Sequence, residues 1–199
     1  MFADLLAEPG VEEVVELRSS PVGFMAFHGG SLERRTEVVA MDAAERSGAS
    51  VYAVVQPLGL RWHIPSTAVT PDASAALRAF LSHVDVVIAV HGYGRDGLWT
   101  SLLLGGTNRP FAAHVGAALR ARLDGYTIVD DLSLIPRELA GQHPANPVNL
   151  PRGGGVQLEL PPRVRGLTPH WEGWEGPGHC PPMEALVDGL AHAASTWPA

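Results

Sequence analysis

Two histidines and one glutamate stand where a metal ion could bind. His28 follows the apolar run 22–27, His91 follows the apolar run 84–90, and a glycine comes directly after each histidine. Glu33 lies a few residues beyond His28, and the intervening glycines let the chain fold back toward it. Two histidines and a carboxylate are the protein ligands of a catalytic zinc that keeps one position open for water. The alternative is that each histidine ends its strand in local hydrogen bonds.

A second group of polar residues follows three consecutive glycines. In the predicted strand 156–160, Gln157 and Glu159 share one face, and three aliphatic residues share the other. A carboxylate in so apolar a setting, near a metal, could act as the general base on a bound water. Arg163 and Arg165 come shortly afterwards and could hold a substrate carboxylate. The alternative is an edge strand whose polar face is solvated.

The elements that must position these residues alternate between β-branched runs and alanine-rich stretches. This pattern predicts an α/β fold, with an open, mixed, mostly parallel sheet flanked by helices. The predicted strands are 11–18, 22–27, 50–55, 84–90, 126–129 and 156–160, and the predicted helices are 37–47, 72–82, 110–123 and 183–194. If the strands that carry His28 and His91 run parallel, both histidines reach the carboxyl edge of the sheet, where the sites of such folds lie.

Helix-end signals refine this prediction. Thr36 is expected to cap the first long helix and Gly48 to end it. Glu37, just inside that helix, competes with Glu33 as a metal ligand, but its position suits the helix dipole. Pro71 and Asp72 are expected to open the next helix.

Length and composition limit the chemistry further. The chain has 199 residues, enough for a single α/β domain spanning 1–199, with a long loop at about 163–182. All fourteen basic residues are arginine, so a Schiff-base lysine and a GxxxxGK[ST] phosphate loop are both excluded. The single cysteine, Cys180, excludes a zinc site built on several thiolates. The net charge of −7 argues against nucleic-acid binding.

The chain shows no pattern of a membrane span or of a signal peptide, and we expect a cytoplasmic protein. Four histidines are expected to be structural or exposed: His63, His83, His114 and His192. His143 is expected in a turn. From the long loop, His170 and His179 could line the site, and Cys180 could be an additional metal ligand.

Several motifs together resemble the phage-type poly-γ-glutamate hydrolase family. They are HGGSLE, a buried strand ending in HG, then GGTNR, NPVN and GGGVQLELPPRVR, and they span about residues 24–165. The resemblance implies an open α/β fold related to zinc carboxypeptidases and hydrolysis of a γ-glutamyl amide bond. It also implies that His28, Glu33 and His91 bind Zn²⁺ and that Glu159 is the catalytic carboxylate.

An arginine must then recognise the carboxylate of the γ-glutamyl substrate. Asn108 and Arg109 are similar to the Asn-Arg pair of zinc carboxypeptidases, although here the pair follows the second histidine instead of preceding it. Arg109 is the first choice, and Arg163 and Arg165 are alternatives. Tyr93, close behind His91, could stabilise an oxyanion.

Two other functions remain open. The chain could be a non-catalytic module that binds a metal or a γ-glutamyl ligand and leaves Glu159 unused. It could also be a dinucleotide-binding oxidoreductase, because Gly92, Gly94 and Gly97 form a GxGxxG pattern after a strand. Against the oxidoreductase, the residues that follow, LWTSLLLGG, are typical of a strand and not of the helix that this motif requires. The absence of a GxSxG elbow disfavours a serine hydrolase.

Overall fold

The fold was obtained as a computed structural model that describes residues 1–169, 171 and 178–198. Seven strands form one sheet in the order β1-β3-β2-β4-β7-β5-β6. The strands are β1 (Glu12–Glu16), β2 (Val22–Gly30), β3 (Ser50–Gln56), β4 (Val86–Gly92), β5 (Ser101–Leu104), β6 (Thr127–Val129) and β7 (Gly155–Leu160). The helices are α1 (Phe2–Leu6), α2 (Thr36–Ser47), α3 (Ala75–His83), α4 (Arg109–Arg120) and α5 (Pro181–Thr196). Single turns of 3-10 helix lie at Ser66–Ala68, Leu132–Leu134, Arg137–Leu139 and Pro147–Asn149.

The centre of the sheet is parallel and its margins are antiparallel. β3, β2, β4 and β7 run in one direction, while β1 pairs antiparallel with β3 and β5 pairs antiparallel with β7. β6 pairs parallel with β5. The predicted α/β class, with an open, mixed and mostly parallel sheet, is therefore confirmed.

Helices cover both faces of the sheet, so the central strands are buried on both sides. α2, α4 and α5 pack against one face through residues such as Val39, Phe111 and Leu186. α1 and α3 cover the other face, where Phe2 and Phe80 belong to a second core cluster. The polar carboxyl ends of β2, β4 and β7 emerge between these two cores.

Two of the predicted helix starts are wrong, and the prediction missed α1. Arg35, in a left-handed conformation at φ 71°, precedes α2, and Thr36 is its first residue. α3 begins after Ser74, whose side chain accepts a hydrogen bond from the backbone N–H of Leu77. This local cap outcompetes Pro71 and Asp72, because it satisfies an orphan N–H of the first turn. Gly48 ends α2 as predicted, at φ 69°.

Candidate metal site and catalytic cavity

The parallel pairing of β2 and β4 brings His28 and His91 together at the carboxyl edge of the sheet. Their ring centroids lie 5.0 Å apart, and both side chains are buried. The chain turns sharply after β2, so that the backbone N–H of Glu33 donates to the carbonyl of His28 at 3.0 Å. Ligand atoms of His28, Glu33 and His91 all lie within 4.8 Å of one another. The sequence pattern thus corresponds to a real cluster of potential metal ligands.

The hydrogen bonds of His28 fit a cation in this cluster. Its Nε2 lies 2.8 Å from the carbonyl of Ile64, an oxygen that can only accept, so Nε2 carries the proton. In the neutral ring, Nδ1 then presents a lone pair to Oε1 of Glu33 at 2.8 Å. Two acceptors face each other at that distance only when a proton or a metal ion lies between them. A backbone carbonyl behind the second ring nitrogen is also a common arrangement in metal-binding histidines.

His91 and Glu33 complete the electrostatics of the cluster. His91 Nδ1 lies 3.3 Å from Oε2 of Glu33, while its Nε2 is buried without a partner among the described residues. Burial lowers the pKa of His91, but the carboxylate of Glu33 outweighs that effect and raises it above its usual value. Burial likewise opposes ionisation of Glu33, yet the two histidines hold its pKa well below the usual range. An ionised carboxylate and an unsatisfied imidazole nitrogen suit a divalent cation.

Glu159 lies next to this cluster because β7 pairs with β4 in a register that places Glu159 opposite His91. The predicted alternation holds, since Gln157 and Glu159 face the site while Val156, Leu158 and Leu160 belong to the core. The edge-strand alternative is wrong, because β7 lies between β4 and β5. Burial raises the pKa of Glu159 to about 7, against the opposing influence of His91.

A short chain of hydrogen bonds orients Glu159. Gln157 Nε2 donates to Oε1 of Glu159 at 2.9 Å, and Asn146 Nδ2 donates to Oε1 of Gln157 at 2.8 Å. Because all three side chains are buried, the carboxylate has little freedom to rotate. A carboxyl group with a pKa near neutrality can both accept and return a proton.

These groups line a cavity of about 850 Å³, which we call the catalytic cavity after the role that the sequence resemblance implies for Glu159. Its lining also includes residues of the segment from Arg137 to Asn146, together with His63 and Pro65 from the chain after β3. Arg137 is the arginine among the described lining residues, and its guanidinium makes no hydrogen bond or ion pair within the described chain. An anionic group of a substrate can therefore bind there without displacing an internal partner.

Three of the predicted substrate-binding residues lie elsewhere in the structure. Asn108 caps α4, accepting from the backbone N–H of Phe111 at 2.9 Å. Arg109 donates to four backbone carbonyls, among them that of Gly105 at 2.9 Å. Tyr93 donates its hydroxyl to the carbonyls of Leu98 and Ser101. None of the three lines the catalytic cavity, and each is engaged in holding backbone together.

The other two predicted arginines also lie outside the catalytic cavity. Arg163 stacks over the ring of Trp171, 5.6 Å from its centroid. Arg165 is buried behind the metal-ligand cluster, where its guanidinium packs against Gly92. Burial lowers the pKa of Arg165 to about 10, against the opposing charge of Glu33, so it remains a cation at neutral pH.

Among the lining residues that sequence reasoning did not place in the site, four carry polar or titratable side chains of interest: Arg137, His63, His143 and Asn146. His63 is exposed, as expected, but its ring centroid lies 4.9 Å from that of His28. Asn146 lies in the NPVN motif, to which the sequence assigns no role. Nothing in the local sequence around Arg137 marks it, since it lies in one turn of 3-10 helix between two loops.

The remaining candidates have structural partners. His179 bonds to Asp42 and Arg35, and Cys180 is buried at the start of α5; neither lines the catalytic cavity. Glu37 accepts from the backbone N–H of Gly30 at 2.9 Å. His170 lies outside the described residues. The GxGxxG pattern leads into β5 and not into a helix, so the helix N-terminus that would bind a pyrophosphate is missing there.

Comparisons with known proteins place these features in context. The family model described as poly-gamma-glutamate hydrolase matches residues 6–168. A solved bacteriophage poly-gamma-glutamate hydrolase superposes with a TM-score of 0.76, at 20% identity, over 92% of this chain and 87% of that one. A structure described as YNDL-apo (zinc-free) superposes with a TM-score of 0.74, at 23% identity, over 94% and 90%. No curated protein matches the sequence significantly.

Proposed function

Because the chain belongs to the poly-gamma-glutamate hydrolase family, we propose that it is a zinc-dependent hydrolase of γ-glutamyl amide bonds. One observation carries the proposal: the ligand atoms of His28, Glu33 and His91 converge beside the buried carboxyl group of Glu159. A structure of the same fold is described as zinc-free, which supports zinc as the metal. The substrate class is supported by the family and by the name of the phage relative.

The donor set fits zinc, with two imidazoles and one carboxylate as ligands and one position left for water. Zinc held there would lower the pKa of a bound water and polarise the scissile carbonyl. Glu159 accepts a proton from the attacking water, whose oxygen forms the new bond to the carbonyl carbon. As the C–N bond breaks, Glu159 returns that proton to the nitrogen of the leaving amine. Gln157 holds the carboxyl group in place for both transfers.

Arg137 supplies the substrate anchor in this proposal. A γ-linked glutamyl unit uses its side-chain carboxyl in the amide bond, so its α-carboxylate remains free and charged. The guanidinium of Arg137 can pair with that carboxylate through two parallel hydrogen bonds. Arg137 thereby replaces Arg109, whose guanidinium is already committed to backbone carbonyls.

The experiment combines metal analysis with hydrolysis. We expect about one zinc per purified chain, lost in His28→Ala and in His91→Ala. His192→Ala, which changes an exposed histidine far along α5, is the matched control and should keep the metal. Glu159→Gln should keep the zinc but hydrolyse γ-linked glutamate oligomers roughly 10²–10⁴-fold more slowly.

Two results would contradict the proposal in different ways. If both histidine variants retained zinc, His28 and His91 would not be its ligands, and the proposed metal site would be wrong. Zinc bound normally by a wild-type protein that hydrolyses no γ-glutamyl substrate would favour the non-catalytic binding module instead.

A further inference from the structure

A second cavity, of about 510 Å³, lies beside the catalytic cavity and carries three arginines. We call it the arginine cavity, and Arg34, Arg61 and Arg165 define it together with aliphatic and small residues. No carboxylate occurs among its described lining residues. The catalytic cavity, in contrast, contains Glu33, Glu138 and Glu159 and a single arginine. Positive charge is therefore concentrated on one side of the candidate active site.

The fold places the two cavities side by side. Arg34 follows β2, Arg61 follows β3 and Arg165 follows β7, so all three leave the carboxyl ends of parallel strands. The catalytic cavity opens at this same edge of the sheet. Leu32 lines both cavities, and the short loop that contains it separates them. The two cavities are therefore immediate neighbours that share Leu32.

The two outer arginines of this cavity are available to a ligand. Arg34 and Arg61 are exposed, and their guanidinium groups make no hydrogen bond or ion pair within the described chain. By contrast, two other exposed arginines are paired with acids: Arg46 contacts Glu184, and Arg95 contacts Glu138. Neither guanidinium of the arginine cavity's outer pair has a partner among the described residues, and the described lining of the cavity contains no carboxylate. In a protein with a net charge of −7, the two arginines therefore attract anions locally.

The third arginine, Arg165, is fixed in the fold by burial and by a hydrogen bond to the backbone. Arg165 is only 5% exposed, and its Nη1 donates to the carbonyl of Arg34 at 2.7 Å. A Cβ on Gly92 would come within 2.6 Å of the same guanidinium, so glycine is needed where Arg165 packs. The Nε of Arg165 is buried without a partner among the described residues. A buried cation held in this way adds a fixed positive charge to those of the two exposed arginines.

We infer that the arginine cavity binds further carboxylates of a γ-linked polyglutamate chain whose scissile bond lies in the catalytic cavity. This inference rests on the proposed function and deepens it, since it makes a polyanionic chain the preferred substrate over a single γ-glutamyl amide. Each γ-linked residue carries one free α-carboxylate, so a chain that crosses Leu32 presents a row of anions to Arg34 and Arg61. An acidic protein needs such a row of cations to hold a polyanion against its overall charge.

The test measures binding separately from hydrolysis. A fluorescently labelled γ-linked decaglutamate is titrated into Glu159→Gln protein, and its anisotropy gives the Kd; a labelled γ-linked diglutamate serves as the short probe. The added change Arg34→Ala/Arg61→Ala should weaken decamer binding about tenfold or more, with a much smaller effect on the dimer. The decamer affinity of this variant should also fall less than that of the parent protein when NaCl is raised from about 50 to about 200 mM. When Arg61→Lys replaces Arg61→Ala in this double variant, the charge is kept, and part of the lost decamer affinity should return.

Controls separate this inference from the proposed function. Arg78→Ala removes an exposed arginine of α3 that lines neither cavity, and it should leave both affinities unchanged. Thermal unfolding confirms that each variant is folded, and metal-free wild-type protein provides a second background without turnover. Equal decamer affinity with and without Arg34 and Arg61, or no decamer binding at all, would overturn the inference. Decamer binding that depends on these arginines in a wild-type protein without hydrolytic activity would overturn the proposed function alone.

Discussion

Glu33 is the residue on which the geometry of the site depends most. Its Oε1 faces His28, and its Oε2 accepts from the backbone N–H of Gly92 at 2.8 Å and lies near His91. One carboxylate therefore ties the loop after β2 to the end of β4. Because Arg165 packs on the other side of Gly92, the same short segment links the metal-ligand cluster to the arginine cavity.

Arg137 offers a direct test of substrate recognition at the level of one side chain. Losing a charge-assisted hydrogen bond costs about 1.5–3 kcal/mol, so Arg137→Ala should raise KM for a γ-glutamyl amide roughly 10- to 150-fold. The KM of Arg137→Lys should lie between those of the wild type and Arg137→Ala, because an ammonium group keeps the charge but cannot form the bidentate pair. Steady-state kinetics on a γ-glutamyl amide and on the matching 4-aminobutyryl amide, which lacks the α-carboxylate, measure the effect.

The two substrates decide what an effect of Arg137→Ala means. On the amide without the α-carboxylate, wild type and variant should have similar KM values. An equal loss on both substrates would show that Arg137 shapes the cavity without reading the carboxylate. Arg152→Ala, at an exposed arginine paired with Asp85, controls for the loss of one positive charge.

At the level of elements, the N-terminus of α4 allows a test of whether Asn108 stabilises the helix or binds the substrate. Asn108 caps this helix and also donates to the carbonyl of Gly153 at 2.9 Å. Removing such a cap costs about 0.5–2 kcal/mol. Asn108→Ala should therefore lower the free energy of unfolding by that amount in urea titrations, with KM for γ-glutamyl substrates unchanged. Asn108→Asp should restore most of the stability. If Asn108→Ala instead raised KM without changing the stability, Asn108 would bind the substrate.

The sequence was informative wherever a local pattern decides the structure. Apolar runs located β2, β4 and β7, and glycines beside histidines marked the ends of β2 and β4. The strand order was not readable, because β7 inserts between β4 and β5 through contacts distant along the chain. That insertion is what places Glu159 opposite His91.

The position of Arg109 was not readable from the sequence for the same physical reason. Arg109 stands in a motif similar to a known carboxylate-binding pair, but the carbonyls at the end of β5 and at Asp130 take up its guanidinium. Arg137 lies in an irregular segment whose path is fixed by packing and not by periodicity. Such contacts leave no local signal in the sequence.

At the scale of the whole molecule, the site lies at the centre of the sheet, between the two core clusters. His28, His91 and Glu159 come from β2, β4 and β7, which are neighbours at the centre of the sheet. Each of these strands is buried between the two helical layers. No helix among the described residues is long and apolar enough to cross a membrane. Because His28 and His91 lie on two neighbouring central strands, binding of the proposed zinc and global unfolding should be coupled.

Removal of the proposed zinc should accordingly lower the stability of the entire fold. A ligand that binds only the native state adds about 2.7 kcal/mol when its free concentration is 100 times Kd. For a chain of this size that corresponds to an increase in Tm of roughly 5–10 °C. Scanning calorimetry of chelator-treated protein, before and after buffered zinc is restored, measures the difference. His28→Ala should show no such increase, whereas His192→Ala should behave as wild type, because the metal stabilises the fold only through its ligands. An equal increase in His28→Ala would mean that zinc acts elsewhere on the chain and would separate the metal from the cluster of His28, Glu33 and His91.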